Sequence, residues 1–329
     1  MYLLHCPMHL RIKYALLVLL SLVVLDSCSI GRMICDVALT PKTVYRDIDE
    51  ARDIAEKRYP GLISWYDSLR ADGIFRDTVI TGETGVRIHA VYAGLPQSEG
   101  TAIVIHGYCS NHIGMLHLAR MYRDSLHFNV LVPDLQYHGL SEGVVRMGWY
   151  DRLDARRWVD VACGLWNDDF MVVHGVSMGA ATTMMLSGEP DLPENLRCFI
   201  EDCGYASVWE QYDNLRRQHT ILNEKALQKA SDYCYRTYGW NFKEASSVDQ
   251  LARCDRPMFF IHGQPDRFVS VDFVYECYNA KTKGYKEIWV EPDTPEHALM
   301  YLRHTEEYTS HVIKFIDKVR NMTKSHTVS

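Results

Sequence analysis

Ser177, Asp266 and His297 are the residue types that together make a serine nucleophile: a hydroxyl, a carboxylate and a base. Ser177 is the centre of Gly175-Val176-Ser177-Met178-Gly179, a G-x-S-x-G pentapeptide. An apolar run, 170–174, leads straight into it, and a helix-forming stretch, 180–186, follows at once. A strand that turns sharply into a helix holds its central serine in a strained, exposed conformation. Side chains at the flanking positions would collide, so glycine is needed there. A flexible Gly/Ser turn is the bland alternative, and the strand before and helix after argue against it.

This architecture places the acid and then the base later in the chain. Phe260-Ile261-His262-Gly263-Gln264-Pro265-Asp266 reads as an apolar strand opening into a turn that carries Asp266. Trp289-Val290-Glu291 is a strand end leading to a loop with His297, just before the last helix. Histidine suits the role of base because its pKa lies near neutral pH. Asp202 ends another apolar run and competes for the acid position. Its successors Cys203-Gly204-Tyr205 suggest instead that it holds a loop. Two backbone N–H groups are needed for the oxyanion. Met178, after the nucleophile, is one candidate. Tyr108 in the loop His106-Gly107-Tyr108-Cys109-Ser110-Asn111 is the other, with Cys109 as its alternative. Whether the Tyr108 side chain lines a pocket or packs is open at this point. The chemistry calls for no cofactor. The ten cysteines include no C-x-x-C pair and no Cys/His cluster at zinc spacing, so no metal is expected. Cys109, Cys163, Cys198 and Cys254 sit in or beside apolar segments and read as buried thiols. A disulfide in an oxidising compartment is compatible with the sequence, which does not say between which cysteines.

The elements that must position these groups alternate. Strands are expected at 77–81 and 86–92 (a hairpin), then at 101–105, 129–132, 170–174, 198–201, 258–261 and 287–290. Helices are expected at 112–125, 151–166, after Ser177, at 271–280 and from about 301 to 319. Such alternation means a mostly parallel central sheet flanked by helices, with sites beyond the carboxyl ends of its strands. Residues 41–76 read as helical, broken at Tyr59-Pro60-Gly61. The segment 203–256 lacks strand character and is rich in aromatic residues. It is expected to form a small helical cap in which most aromatics pack. Trp209 and Trp240 are put forward as substrate contacts.

On these motifs the chain resembles the α/β-hydrolases from about residue 77 to the C-terminus. It is further similar to a bacterial subgroup of exported or membrane-anchored hydrolases related to the serine aminopeptidase and esterase branch. Met115-Leu116-His117-Leu118-Ala119-Arg120, Met147-Gly148-Trp149-Tyr150-Asp151-Arg152-Leu153-Asp154 and Glu201-Asp202-Cys203-Gly204-Tyr205-Ala206 are among the similar blocks. There are departures. Gln136-Tyr137-His138-Gly139-Leu140-Ser141 stands where the family usually has Arg-Gly-His-Gly-x-Ser, and Gln264 replaces a frequent Asp. The resemblance implies an α/β-hydrolase fold and cleavage of an ester, thioester or amide through an acyl-enzyme. An esterase is favoured; a peptidase, an acyltransferase and a non-catalytic binding protein are the alternatives.

The formal net charge of −7 on 329 residues, with basic residues scattered, gives no nucleic-acid footprint. Arg11 and Lys13 precede an apolar run, 14–25, that ends at Asp26-Ser27-Cys28. This is the grammar of an export signal. Leu25-Asp26-Ser27-Cys28 resembles a lipobox in which Cys28 would carry the lipid, although Asp26 fits poorly. A signal anchor and an unlipidated cleaved signal compete with that reading. The expected organisation is a leader or membrane anchor at 1–28, a helical approach segment at 29–76 and the hydrolase domain at 77–329. The expected location is the cell envelope, with a small ester or amide as substrate. Oligomeric state cannot be read from the chain.

Overall fold

Apolar runs too short for helices and without alternation predict strands covered on both faces. The computed structural model describes residues 27–40, 47–219, 222–294 and 296–327. It contains an eight-stranded sheet of β1 (Phe75–Thr81), β2 (Arg87–Ala93), β3 (Gly100–Ile105), β4 (Phe128–Pro133), β5 (Met171–Val176), β6 (Leu196–Asp202), β7 (Met258–Gly263) and β8 (Lys286–Glu291). The spatial order is β1-β2-β4-β3-β5-β6-β7-β8. β2 pairs antiparallel with β1 and β4, and every other neighbouring pair is parallel.

Every residue of β3, β4, β5 and β7 is buried. Alternating residues feed two separate cores, as the two-residue period of a strand requires. Ile103 and Ile105 point into one, Ala102 and Val104 into the other. Among the described residues three helices precede the sheet: α1 (Ser27–Leu39), α2 (Ile48–Arg58) and α3 (Leu62–Ala71). The stretch expected as one helix at 112–125 is a 3-10 turn, His112–Met115, leading into α4 (Leu116–Leu126). Then come α5 (Asp151–Leu165) and α6 (Met178–Ser187). Ala155, Trp158, Val159 and Ala162 form the buried stripe of α5 at helical spacing and join the first core. The final stretch is two helices, α11 (Met300–Arg303) and α12 (Thr305–Thr327), after α10 (Asp272–Ala280). Tyr308, Val312, Phe315 and Ile316 of α12 seal the second core, together with Ala55 of α2 and Leu62 and Tyr66 of α3.

Between β6 and β7 lie α7 (Val208–His219), α8 (Glu224–Tyr238) and α9 (Ser247–Leu251). α1 packs along α8, and its carboxyl end reaches the hydrolase body. Leu39 O accepts from Val145 N at 3.0 Å. Residues 1–26 of the expected leader lie outside the described residues. Cys28 falls in the first turn of α1, where only the backbone is described. No helix among the described residues is long and apolar enough to cross a membrane. Cys198 and Cys254 are buried, as expected, but Cys109 and Cys163 are only half-buried. Cys163 falls beside, not on, the buried stripe of α5. Cys109 lies in the loop after β3 with φ 68°.

Candidate active site

The turn at Ser177 follows from what its neighbours lack. Ser177 has φ 59° and ψ −117°, a strained conformation for a residue with a side chain. A Cβ on Gly175 would overlap Gly179 O and stand 2.5 Å from Thr183 Oγ1. A Cβ on Gly179 would stand 2.6 Å from His106 O. Gly175 therefore lets β5 and α6 close on each other, and Gly179 lets the start of α6 press against the end of β3, which together leave the serine at the sharp turn between β5 and α6. Ser177 N donates to Asp202 O at 2.8 Å, which pins the turn to the end of β6.

The loops after β7 and β8 bring the other two groups to Ser177. His297 Nε2 lies 2.7 Å from Ser177 Oγ, and His297 Nδ1 lies 2.6 Å from Asp266 Oδ2. Gly263 allows this meeting, since a Cβ there would stand 2.5 Å from Thr294 O in the His297 loop. The other oxygen of Asp266 accepts from Phe268 N at 2.8 Å and Val269 N at 3.1 Å. Burial pushes the Asp266 carboxyl up, but His297, His262 and the Phe268 amide outweigh it and hold the pKa below the ordinary value. A carboxylate that stays ionised while accepting from Nδ1–H leaves Nε2 as the acceptor for the serine proton. Ser177 is 7 % exposed.

The competing acid is elsewhere. Asp202 Oδ2 accepts from Tyr308 Oη at 3.0 Å, and burial pushes its pKa up to about 6. Its neighbour Glu201 is fully buried, accepts from Gly204 N at 3.0 Å and is pushed by burial up to about 8.

Met178 begins α6, so its amide is among the first-turn N–H groups that no intrahelical carbonyl can satisfy. On the opposite side Gly107 lies against Ser177, where a Cβ would stand 3.0 Å from the serine Cβ. Cys109 N donates to His138 Nε2 at 3.4 Å, so that amide is already engaged. The Tyr108 hydroxyl donates to Ala38 O of α1 at 3.0 Å. Two histidines that sequence reasoning gave no role hold this loop. His106 Nδ1 donates to Gly107 O at 2.7 Å while its Nε2 accepts from Leu135 N at 2.9 Å. His138 Nδ1 donates to Gln136 O at 2.9 Å. Gln136, the departure from the family loop, donates to Asp154 Oδ2 at 2.7 Å, and Tyr137 adopts φ 71° where the family has glycine. His262, at the end of β7, has its pKa lowered by burial and bonds Val269 O at 3.1 Å. Its place beside Asp266 in sequence was the available signal.

Of the two cap residues put forward as substrate contacts, Trp240 is corrected. It is 0 % exposed, with its ring centroid 5.8 Å from that of Phe242, so it belongs to the core of the cap. Trp209 is half-buried, with Lys243 Nζ 4.2 Å from its ring centroid.

No family model matches the chain. It is 26 % identical over 249 residues to the uncharacterized protein YqkD of Bacillus subtilis, spanning 75 % of this chain and 80 % of that one. Among solved structures, the Pyrococcus furiosus esterase Pf2001 superposes with a TM-score of 0.61 at 22 % identity, over 74 % of this chain and 90 % of the esterase. The acylaminoacyl peptidase of Pyrococcus horikoshii superposes with a TM-score of 0.56 at 14 % identity, over 77 % of this chain and 43 % of the peptidase. The fold is the α/β-hydrolase fold.

Proposed function

We propose that the protein is a serine hydrolase that cleaves a small carboxylic ester through an acyl-enzyme. The observation that carries this reading is the continuous path Asp266–His297–Ser177, with spacings of 2.6 and 2.7 Å, ending on a strained turn. Ser177 Oγ attacks the carbonyl carbon while His297 Nε2 takes its proton. The amides of Met178 and Tyr108 stabilise the negative oxygen. His297 then returns the proton to the leaving oxygen, and the alcohol departs. Water attacks the acyl-serine by the same route, releasing the carboxylic acid and restoring Ser177.

An amide or thioester would pass through the same steps, and an acyltransferase would replace the water with another acceptor. The esterase reading is preferred for a specific reason. A peptidase that captures a free amine needs an accessible carboxylate. Glu201 and Asp202, at the end of β6, are 0 % and 3 % exposed. Glu210, at the start of α7, accepts from the hydroxyl of Ser207 at 2.7 Å. The leader carries the second half of the proposal: export to the cell envelope with a membrane tether at the N-terminus, through a lipid on Cys28 or an uncleaved anchor. Mass spectrometry of the N-terminal peptide from the membrane fraction distinguishes the two, and recovery of an intact chain in the cytoplasm overturns export.

The test of the chemistry is labelling by a fluorophosphonate, expected on Ser177 alone, with turnover of short-chain nitrophenyl esters well above that of aminoacyl amides. Faster turnover of the amides would make the enzyme a peptidase, and an unlabelled Ser177 in the folded protein would leave a binding protein.

A further inference from the structure

Two thiols meet in the seam between α1 and the cap. The helices advance in the same direction there. Gly31 lies against Lys229, and one turn on Cys35 lies against Ala230 and Cys234. The seam is tight because Gly31 has no side chain: a Cβ would stand 2.5 Å from Lys229 O. Cys35 Sγ donates to Ala230 O at 3.1 Å. Cys234 is one helical turn beyond Ala230 on the same face of α8. Both cysteines are 0 % exposed. The neighbouring Cys35 thiol, together with burial, pushes the Cys234 thiol pKa up.

We propose that Cys35 and Cys234 are the site of a disulfide that staples α1 to the cap. The compartment it needs rests on the export reading above, whereas the pairing itself rests on the packing of the two helices. Each thiol loses its proton and one Sγ–Sγ bond forms. The two electrons pass to a donor disulfide, such as an oxidised dithiol protein or oxidised glutathione, which becomes two thiols. In the docked state neither sulfur is reachable, and a thiol held protonated is a poor nucleophile. Oxidation therefore accompanies docking of α1 during folding, and the finished bond is shielded from soluble reductants. The bond closes a loop over residues 35–234, which restricts the unfolded chain strongly. It also anchors the helix whose Ala38 carbonyl receives the Tyr108 hydroxyl, and through it the loop beside Ser177.

The experiment refolds the full chain from denaturant in a glutathione redox buffer, alkylates the remaining thiols in denaturant and maps peptides without reduction. The expected result is one crosslinked pair containing Cys35 and Cys234. The oxidised protein should melt at least about 5 °C above the reduced one. A Cys35→Ala/Cys234→Ala double variant, whose small side chains suit both helices, should fold and show no such shift. Alkylation of both cysteines after oxidative refolding, or their capture by other cysteines, overturns the pairing. A crosslink in the refolded chain with free thiols in chain taken from cells overturns the staple in the cell through the failure of export, while Ser177 labelling tests the hydrolase reading separately.

Discussion

Among the described residues two aspartate–histidine clusters are built on a buried carboxylate, and only one of them sets an imidazole on a serine hydroxyl. At the strand ends Asp266 bonds His297, which in turn reaches Ser177. Deeper in the fold, Asp134 at the end of β4 bonds His89 Nδ1 at 2.9 Å and His112 Nδ1 at 2.9 Å, and is itself fully buried. Its oxygens also accept from His112 N at 2.7 Å and Leu140 N at 3.0 Å. A side chain at Gly139 would overlap the Asp134 carboxyl. Burial pushes this carboxyl up, but His112 and His89 outweigh it and hold the pKa far below the ordinary value. The second cluster thus spends its hydrogen bonds on joining β2, β4 and the loops on either side of it. The first leaves one imidazole nitrogen for a hydroxyl. Residue type does not separate the two clusters; their geometry does, since His297 Nε2 faces Ser177 Oγ whereas His89 Nε2 faces Asp77 Oδ1 at 3.0 Å.

The comparison breaks most readily at Ser177. Ser177→Ala should lower kcat for esters by about 10⁴- to 10⁶-fold with an unchanged melting temperature, because the hydroxyl serves chemistry and not packing. Retention of a tenth of the turnover would disqualify Ser177. Asp266→Asn should cost about 10⁴-fold in kcat with the fold intact. Asp202→Asn should cost far less, since that carboxyl bonds Tyr308 and not His297. The reverse ranking would move the acid to Asp202.

Asp134→Ala should show the opposite phenotype, a stability loss of about 3–5 kcal/mol in urea unfolding with kcat of the folded fraction within tenfold of wild type. A catalytic defect at full stability would erase the distinction between the clusters. The same carboxyl sets an acid limit. Its folded pKa is depressed, so its stabilising contribution is present above about pH 4 and lost as pH falls further.

Glu201 sharpens the electrostatic side. Its pKa rises from 4.5 to about 8 on folding. Between those values the unfolded chain releases a proton that the folded one keeps, so stability falls as pH rises and levels off above about pH 8. Glu201→Gln should remove a slope worth on the order of a few kcal/mol across that window. Identical pH–stability curves for the two proteins would show that Glu201 ionises freely. The smallest effect is expected at Trp209. Trp209→Ala should alter the relative KM values of short and long acyl esters severalfold with little change in kcat, and identical chain-length profiles would make it a packing residue.

The local signals were the legible ones. Ser177 between Gly175 and Gly179 announced its turn because strand, turn and helix are contiguous, and steric demands within five residues act at short range. The alternation of strands and helices was readable for the same reason, to within a few residues at most ends. Tyr137 adopts positive φ without glycine, so the departure in that loop showed in sequence but its accommodation by Gln136 and Asp154 did not. Trp240 was misjudged because aromatic residues in an insertion look alike until the helices that bury them are packed.

By itself the sequence determined the residue types able to do acyl chemistry, their order along the chain and the elements that carry them. Tertiary structure decided which carboxylate meets His297, the insertion of β4 between β2 and β3, and the seating of α1 on the cap. Asp202 closes β6 and Asp266 lies in the turn after β7, and which of them meets His297 depends on how the loops beyond the strands fold together. Strand order and helix seating depend likewise on contacts between residues far apart in the chain. Such contacts follow from burying both faces of a whole sheet at once, a global condition that no short segment encodes.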